Sequence, residues 1–255
     1  MTDIVQKTVC LIRNERINNK AIGARPMFYK LGIDFVGINK FEKIMSESNL
    51  GVKLKRKRII TTQGLYENHD KNLISGLTLN DINQVIAGDI TYLITKEKTF
   101  FIFTLKDMYS KRILGLIGSD NMMAVNAYKL LKESAKLRGK AICNCIHHSD
   151  AGKQYKSNIY KKLLKEKGMK MSIAENCLEN GMAEQLNGLI KNGYITEDIR
   201  TVRQLNKVLN RVKKTLNEEI PVKAIGYKTP VAFEQKLKDI PFEKRIKIEL
   251  YDFKK

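Results

Sequence analysis

The chain has 255 residues, 43% of them hydrophobic, which suits one large or two modest domains with a packed core and excludes wholesale disorder. Its 47 Lys and Arg outnumber 27 Asp and Glu, a formal charge of +20, so a polyanion, by default nucleic acid, is the expected partner. The longest uncharged apolar run, "TFFIFTL" at 99–105, falls far short of the roughly 20 residues of a membrane span, and the charged opening "MTDIVQKTVCLIRNER" lacks a secretory apolar region, so a cytosolic protein with no membrane partner is expected.

Residues 3 to about 50 read as three short helices, "DIVQKTVCLIRNERI", "ARPMFYKLG" and "INKFEKIMSES", stopped by Gly51, which makes 1–51 a small helical module resembling DNA-binding ones. Residues 52–82 read as a basic linker. In its "KLKRKR", Lys53, Lys55, Arg56, Lys57 and Arg58 have no acidic neighbour and suit a phosphate backbone. After Asn83 the period changes. "QVIAGDITYLIT", "KTFFIFTLKDMYS" and "RILGLIGS" are rich in Ile, Phe, Thr and Tyr and predict an antiparallel meander. A helix over about 122–137 follows, then "KAICNCI" as a strand covered on both sides, a helix "SNIYKKLLKEKG" and a short strand "KMSI". Residues 83–199 thus form an α/β core. Region 200–255 is read as basic and helical. Its helix over about 201–217 sets Val202, Leu205, Val208, Leu209, Val212 and Leu216 against a cationic stripe of Arg200, Arg203, Lys207, Arg211 and Lys214.

The cysteines at 10, 143, 145 and 177 have no metal-knuckle spacing and are expected to be reduced. Cys143, Cys145 and His147 share one side of the expected strand; packing is preferred there to a zinc site.

Asp150, in "HHSDAGKQY", stands at the tip of an apolar strand and before a turn, where α/β sheets bind ligands. That makes it a candidate metal ligand. Asp89 lies inside a β-branched strand, "AGDITYLI", and Glu184 lies in the helix "GMAEQLNGLIKNGY", where Glu184, Asn187, Gly188 and Lys191 share a face. Three acids on a basic protein would repel one another and a DNA phosphate. Two divalent ions remove both penalties and activate the attacking oxygen.

"DITYL", "DMYSKRILG", "HHSDAGKQYKSNIYKKLLKEKGMKMSIA" and "CLENGMAEQLNGLIK" resemble, in order and spacing, the integrase core of insertion-sequence transposases of the IS-three type, within the retroviral-integrase-like superfamily. The likeness covers roughly 83–235. It implies a ribonuclease-H-like mixed sheet flanked by helices, and an acidic triad matched here by Asp89, Asp150 and Glu184. It also implies two Mg2+ ions, replaceable by Mn2+, and chemistry of DNA strand cleavage and 3′-hydroxyl strand transfer. Lys191 matches the basic residue near the cleaved end, and His148, Ser149, Gly152, Gln154 and Tyr155 complete the pattern around Asp150. Asp107 is expected to be structural. The implied partners are DNA, as element ends and target, further copies of the chain on DNA, and an upstream-frame protein, in the bacterial cytoplasm at the nucleoid. The interval from Asp150 to Glu184 is shorter than the family's, and Gly193 replaces its next acid. An inactive DNA-binding descendant and a plain metal nuclease are the alternatives.

Overall fold

The computed structural model describes residues 3–53, 72–174 and 181–251, with the backbone alone for 181–184. Three helices open the chain, α1 Asp3–Asn18, α2 Ala24–Leu31 and α3 Ile38–Glu47. α3 buries Phe41, Ile44 and Met45, an i, i+3, i+4 stripe facing the interior. Arg16 ties the three together by donating to the carbonyls of Lys20, Ile22 and Leu50.

After a short strand β1 Thr78–Leu79, the strands β2 Val85–Ile94, β3 Thr99–Asp107 and β4 Ile113–Ser119 form the expected antiparallel meander. α4 Ala124–Arg138, β5 Ile146–Ser149, α5 Lys153–Lys156, α6 Asn158–Glu166 and β6 Lys170–Ile173 follow. β5 pairs parallel to β2 and β6 parallel to β5, which gives a mixed sheet in the order β4-β3-β2-β5-β6. The rest is helical: α7 Gly181–Leu189, a π turn at Ile190–Tyr194, α8 Val202–Glu218 and α9 Pro230–Leu237, before a last strand β7 Ile248–Glu249.

Strand alternation divides the core in two. On β3, Phe103 and Leu105 face α4 and α6, whose Leu130, Leu131, Tyr160 and Leu163 cover them. Phe100 and Ile102 face the other way, toward Leu205, Val208, Leu209 and Val212 of α8 and Ile12, Met27 and Phe41 of the N-terminal helices. Each such fully buried side chain contributes about 1.5–3 kcal/mol relative to exposure.

Region 200–255 is thus no appendage. A capping box starts α8, Thr201 Oγ1 accepting from the Gln204 N–H and Gln204 Oε1 from the Thr201 N–H, both at 3.1 Å. α8 then seals the edge strand β4: the Asn206 side chain accepts from the Gly118 N–H and donates to its carbonyl, both at 2.9 Å, and Asn217 does the same at Ile113 at 2.8 and 2.9 Å. A Cβ at residue 118 would lie 2.3 Å from Leu205 Cδ2, so only glycine admits this approach.

Two further expectations are corrected. The linker is shorter than 52–82: Ile74 and Leu79 are buried with Ile225, Phe233 and Leu237, and β1 pairs antiparallel with β7. The apolar residues of "NLISGLTL" have a core to enter once the C-terminal region folds back. "KAICNCI" is also not a strand throughout. Gly139–Ile142 is a single 3-10 turn and Asn144 adopts a left-handed φ of 67°, so β5 begins only at Ile146. Ile142 and Cys145 are buried from a turn, which makes the run apolar without making it extended.

Candidate active site

Ala87 opposite His148 is the last paired position of the parallel β2–β5 ladder. Two residues further along each strand come Asp89 and Asp150. Neighbouring strands run about 4.8 Å apart, so the two carboxylates issue from adjacent backbones at the end of β5, the end of a sheet where ligands collect. Asp89 is buried, and the Asn187 side-chain amide donates to its Oδ2 at 2.6 Å. Asp150 keeps an exposed surface and accepts the Gly152 N–H at 3.1 Å. Burial by the protein packed around it pushes its carboxyl pKa up, against the pull of that amide.

Glu184 is the fourth residue of α7; its side chain lies outside the described residues. α7 and the π turn are latched to β2 by two side chains, Asn187 on Asp89 and Lys191, whose ammonium donates to Thr91 Oγ1 at 2.8 Å. Residue 184 lies one turn before Asn187 on the same helical face. Burial lowers the Lys191 pKa while the Asp89 charge opposes. Gly193 has a packing reason for lacking a side chain, since a Cβ there would lie 2.3 Å from the Ala21 Cβ of the N-terminal module.

The residues around Asp150 form its frame. His148 Nδ1 meets Ser172 Oγ at 2.9 Å, Gln154 donates to the Met122 carbonyl at 2.8 Å, and Tyr155 packs 5.4 Å from Tyr160, whose hydroxyl meets His147 Nε2 at 2.7 Å. Burial, with His148 adding to it, pushes His147 down to about 3, so its ring is neutral. The zinc alternative fails here. Cys143 is exposed, Cys145 is buried, and among the described residues no three His, Cys, Asp or Glu side chains converge.

Asp107 is structural. Fully buried, it accepts from the backbone N–H groups of Asn83, Tyr109 and Ser110 at 2.8, 3.0 and 2.8 Å. Arg138 lies 3.6 Å away and also grips Glu234 of α9.

On α8, Arg203, Lys207, Arg211 and Lys214 are exposed opposite the packed face, as the period predicts. Two stripe members are engaged: Arg211 pairs with Glu197, and Arg200 with Asp198 at 3.2 Å and Glu97 at 3.7 Å. Lys53 is exposed; Lys55, Arg56, Lys57 and Arg58 lie outside the described residues. Sequence reasoning placed Asn187 on the right face but missed its bond to Asp89. A polar amide one turn after an acid, on the same face of the helix, was the available signal.

Residues 80–176 match the integrase core domain family. Together with the five-stranded mixed sheet, that defines an integrase-core protein of ribonuclease-H-like fold. The chain is 27% identical over 217 residues to the insertion element IS600 uncharacterized 31 kDa protein of Shigella sonnei, covering 79% of this chain and 76% of that one. It is 36% identical over 104 residues to the transposase InsF for insertion sequence IS3fB of Escherichia coli K12, covering 40% of this chain and 36% of that one. Among solved structures it resembles the simian T-cell lymphotropic virus intasome in complex with PP2A regulatory subunit B56 gamma, with a TM-score of 0.51 at 12% identity over 88% of this chain and 74% of that one, a likeness of fold. The integrase core domain and the insertion-element relatives support an insertion-sequence transposase of the retroviral-integrase-like superfamily. Among the described residues no helix is long and apolar enough to cross a membrane.

Proposed function

We propose that Asp89, Asp150 and Glu184 are the catalytic carboxylates of this transposase and that they hold two magnesium ions, replaceable by manganese. The observation that carries this reading is that Asp89 and Asp150 each follow the last paired position of the parallel β2–β5 ladder, Ala87 opposite His148, by two residues, with the helix of Glu184 latched to Asp89. The donor set fits: hard carboxylate oxygens suit a hard cation, and Asp150, its pKa raised by burial, forms no ion pair among the described residues. A divalent ion bound there supplies Lewis-acid activation of a water or 3′-hydroxyl and offsets phosphate charge.

The chain's own residues do the positioning. Asn187 holds the Asp89 carboxylate, the Gly152 amide fixes one oxygen of Asp150, and Lys191 offers a cation beside the site for the phosphate of the DNA end. Water attack breaks one phosphodiester P–O bond and frees a 3′-hydroxyl. That oxygen then forms a new P–O bond to the target strand, whose displaced 3′ oxygen takes up a proton, with no covalent protein intermediate. Lys53, the linker cations at 55–58 and Arg200, Arg203, Lys207, Arg211 and Lys214 contact the backbone of element ends and target. The protein works as an oligomer on DNA, with an upstream-frame partner, in the bacterial cytoplasm at the nucleoid.

The test is transfer of a labelled, pre-cleaved element end into plasmid DNA with magnesium or manganese, comparing the protein with Glu184→Gln, with and without the upstream-frame fusion. Joined product that disappears in the variant is expected. DNA binding with no product, even with the partner present, would establish a non-catalytic descendant; cutting without joining would establish a nuclease.

A further inference from the structure

On the sheet face away from α8, the ends of α4 and α6 and the turn Gly139–Ile142 enclose a groove of about 870 Å³. Lys132, Lys136, Lys140, Lys165 and Lys167 line it, against Glu133 and Glu166. All five lysines are exposed, and among the described residues none forms an ion pair, whereas Lys30, Lys43, Arg200 and Arg211 each do. Lys136 and Lys165 stand in the last turns of their helices, where the helix dipole favours a cation. Lys132 and Lys140 lie outside those turns, so the dipole does not account for the cluster.

The groove sits at the start of the parallel strands, where Cys143 and Gly168 precede β5 and β6, while Asp150 follows the end of β5. At about 3.3 Å per residue, β5 alone separates the two by more than about 10 Å. Lys132 to Lys140 follow α4 and its terminal turn over roughly 12 Å at about 1.5 Å per residue. A duplex presents one charge per about 1.7 Å of axis, so such a run meets several phosphates of one duplex.

We propose that this groove docks the backbone of a second duplex-DNA segment, distinct from the one whose phosphodiester reaches Asp89 and Asp150. The proposal rests on the DNA-transferring reading above and places a second contact face on the opposite side of the sheet from α8. Such a face lets one subunit hold two duplex segments during transfer.

The test compares two triple variants of equal charge change, Lys132→Gln with Lys136→Gln and Lys165→Gln in the groove, and Lys236→Gln with Lys238→Gln and Lys244→Gln, exposed lysines elsewhere. Binding of a long duplex is measured across a salt series, and metal-dependent cleavage of a short element end is scored alongside. The groove variant is expected to lose about 0.9 of salt slope per lost contact, about 2.7 for all three, and the control less than about 1. Exposed Cys143, which lines the groove, should be alkylated several-fold more slowly in the presence of duplex. Equal slopes in the two variants, or protection of Cys143 by a nucleoside triphosphate as strong as by duplex, would overturn the proposal. Cleavage by the unsubstituted protein, assayed with the upstream-frame fusion present, separates the cases: equal slopes with cleavage intact refute the groove alone, and absent cleavage refutes the catalytic reading.

Discussion

Arg138→Met removes the centre of a buried charge network. Arg138 is 7% exposed and grips Glu234 with both guanidinium nitrogens, at 2.9 and 2.5 Å, while lying 3.6 Å from Asp107, which is 0% exposed. Deleting one partner of a buried pair costs about 3–5 kcal/mol because it leaves charge stranded. Glu234 retains Arg112 at 2.5 Å and the Ser110 hydroxyl at 2.7 Å, so the lower end, about 3 kcal/mol, is expected. For a chain of this size that lowers the melting temperature by roughly 6–12 °C. Burial raises both carboxyls; for Glu234 the bonds from Arg138, Ser110 and Arg112 prevail and hold its pKa below 4.5, whereas Asp107 stays raised. The Glu234 contribution is therefore present above its unfolded pKa and lost as pH falls through the lower folded value. Guanidinium unfolding followed by circular dichroism should show the widest gap between the two proteins near pH 7, narrowing in acid as both carboxyls are protonated. A loss below about 1 kcal/mol, or a gap that does not narrow in acid, would refute the reasoning.

Gly118→Val places a side chain where a Cβ already falls 2.3 Å from Leu205 Cδ2, and should cost about 1–3 kcal/mol in a thermal melt; an unchanged melting temperature would show that α8 does not sit against β4 so closely. His147, held at about 3 against an unperturbed 6.5, stays neutral when folded while the unfolded chain takes up a proton, so stability falls as pH drops from about 6.5 toward 3. Its ring resonances should not titrate between about pH 5 and 8, and a midpoint inside that range would contradict its burial.

Much of the candidate site could be read from short stretches. Asp89 and Asp150 sit in local patterns, a β-branched strand and a strand tip before a turn, that place each acid without knowledge of its neighbours. The α8 stripe was legible because helical period is local, carried by apolar and cationic residues at steps of three and four. The linker end and "KAICNCI" misled because the signal read was apolar content. Ile74 and Leu79 enter a cluster completed by Ile225, Phe233 and Leu237, more than a hundred positions later, and one left-handed residue, Asn144, interrupts what composition presents as a strand.

By itself the sequence determined most of the element types, the acid within β2 and the acid just after β5, and the excess positive charge, since each follows from residues close together in the chain. Only the tertiary structure decided which groups meet across long separations: Asn187 on Asp89, Arg138 between Asp107 and Glu234, Gly193 against Ala21, and the amides of α8 on the edge of β4. Such contacts depend on strand order and helix docking. Those are set by the summed burial of the whole core, to which no local window has access.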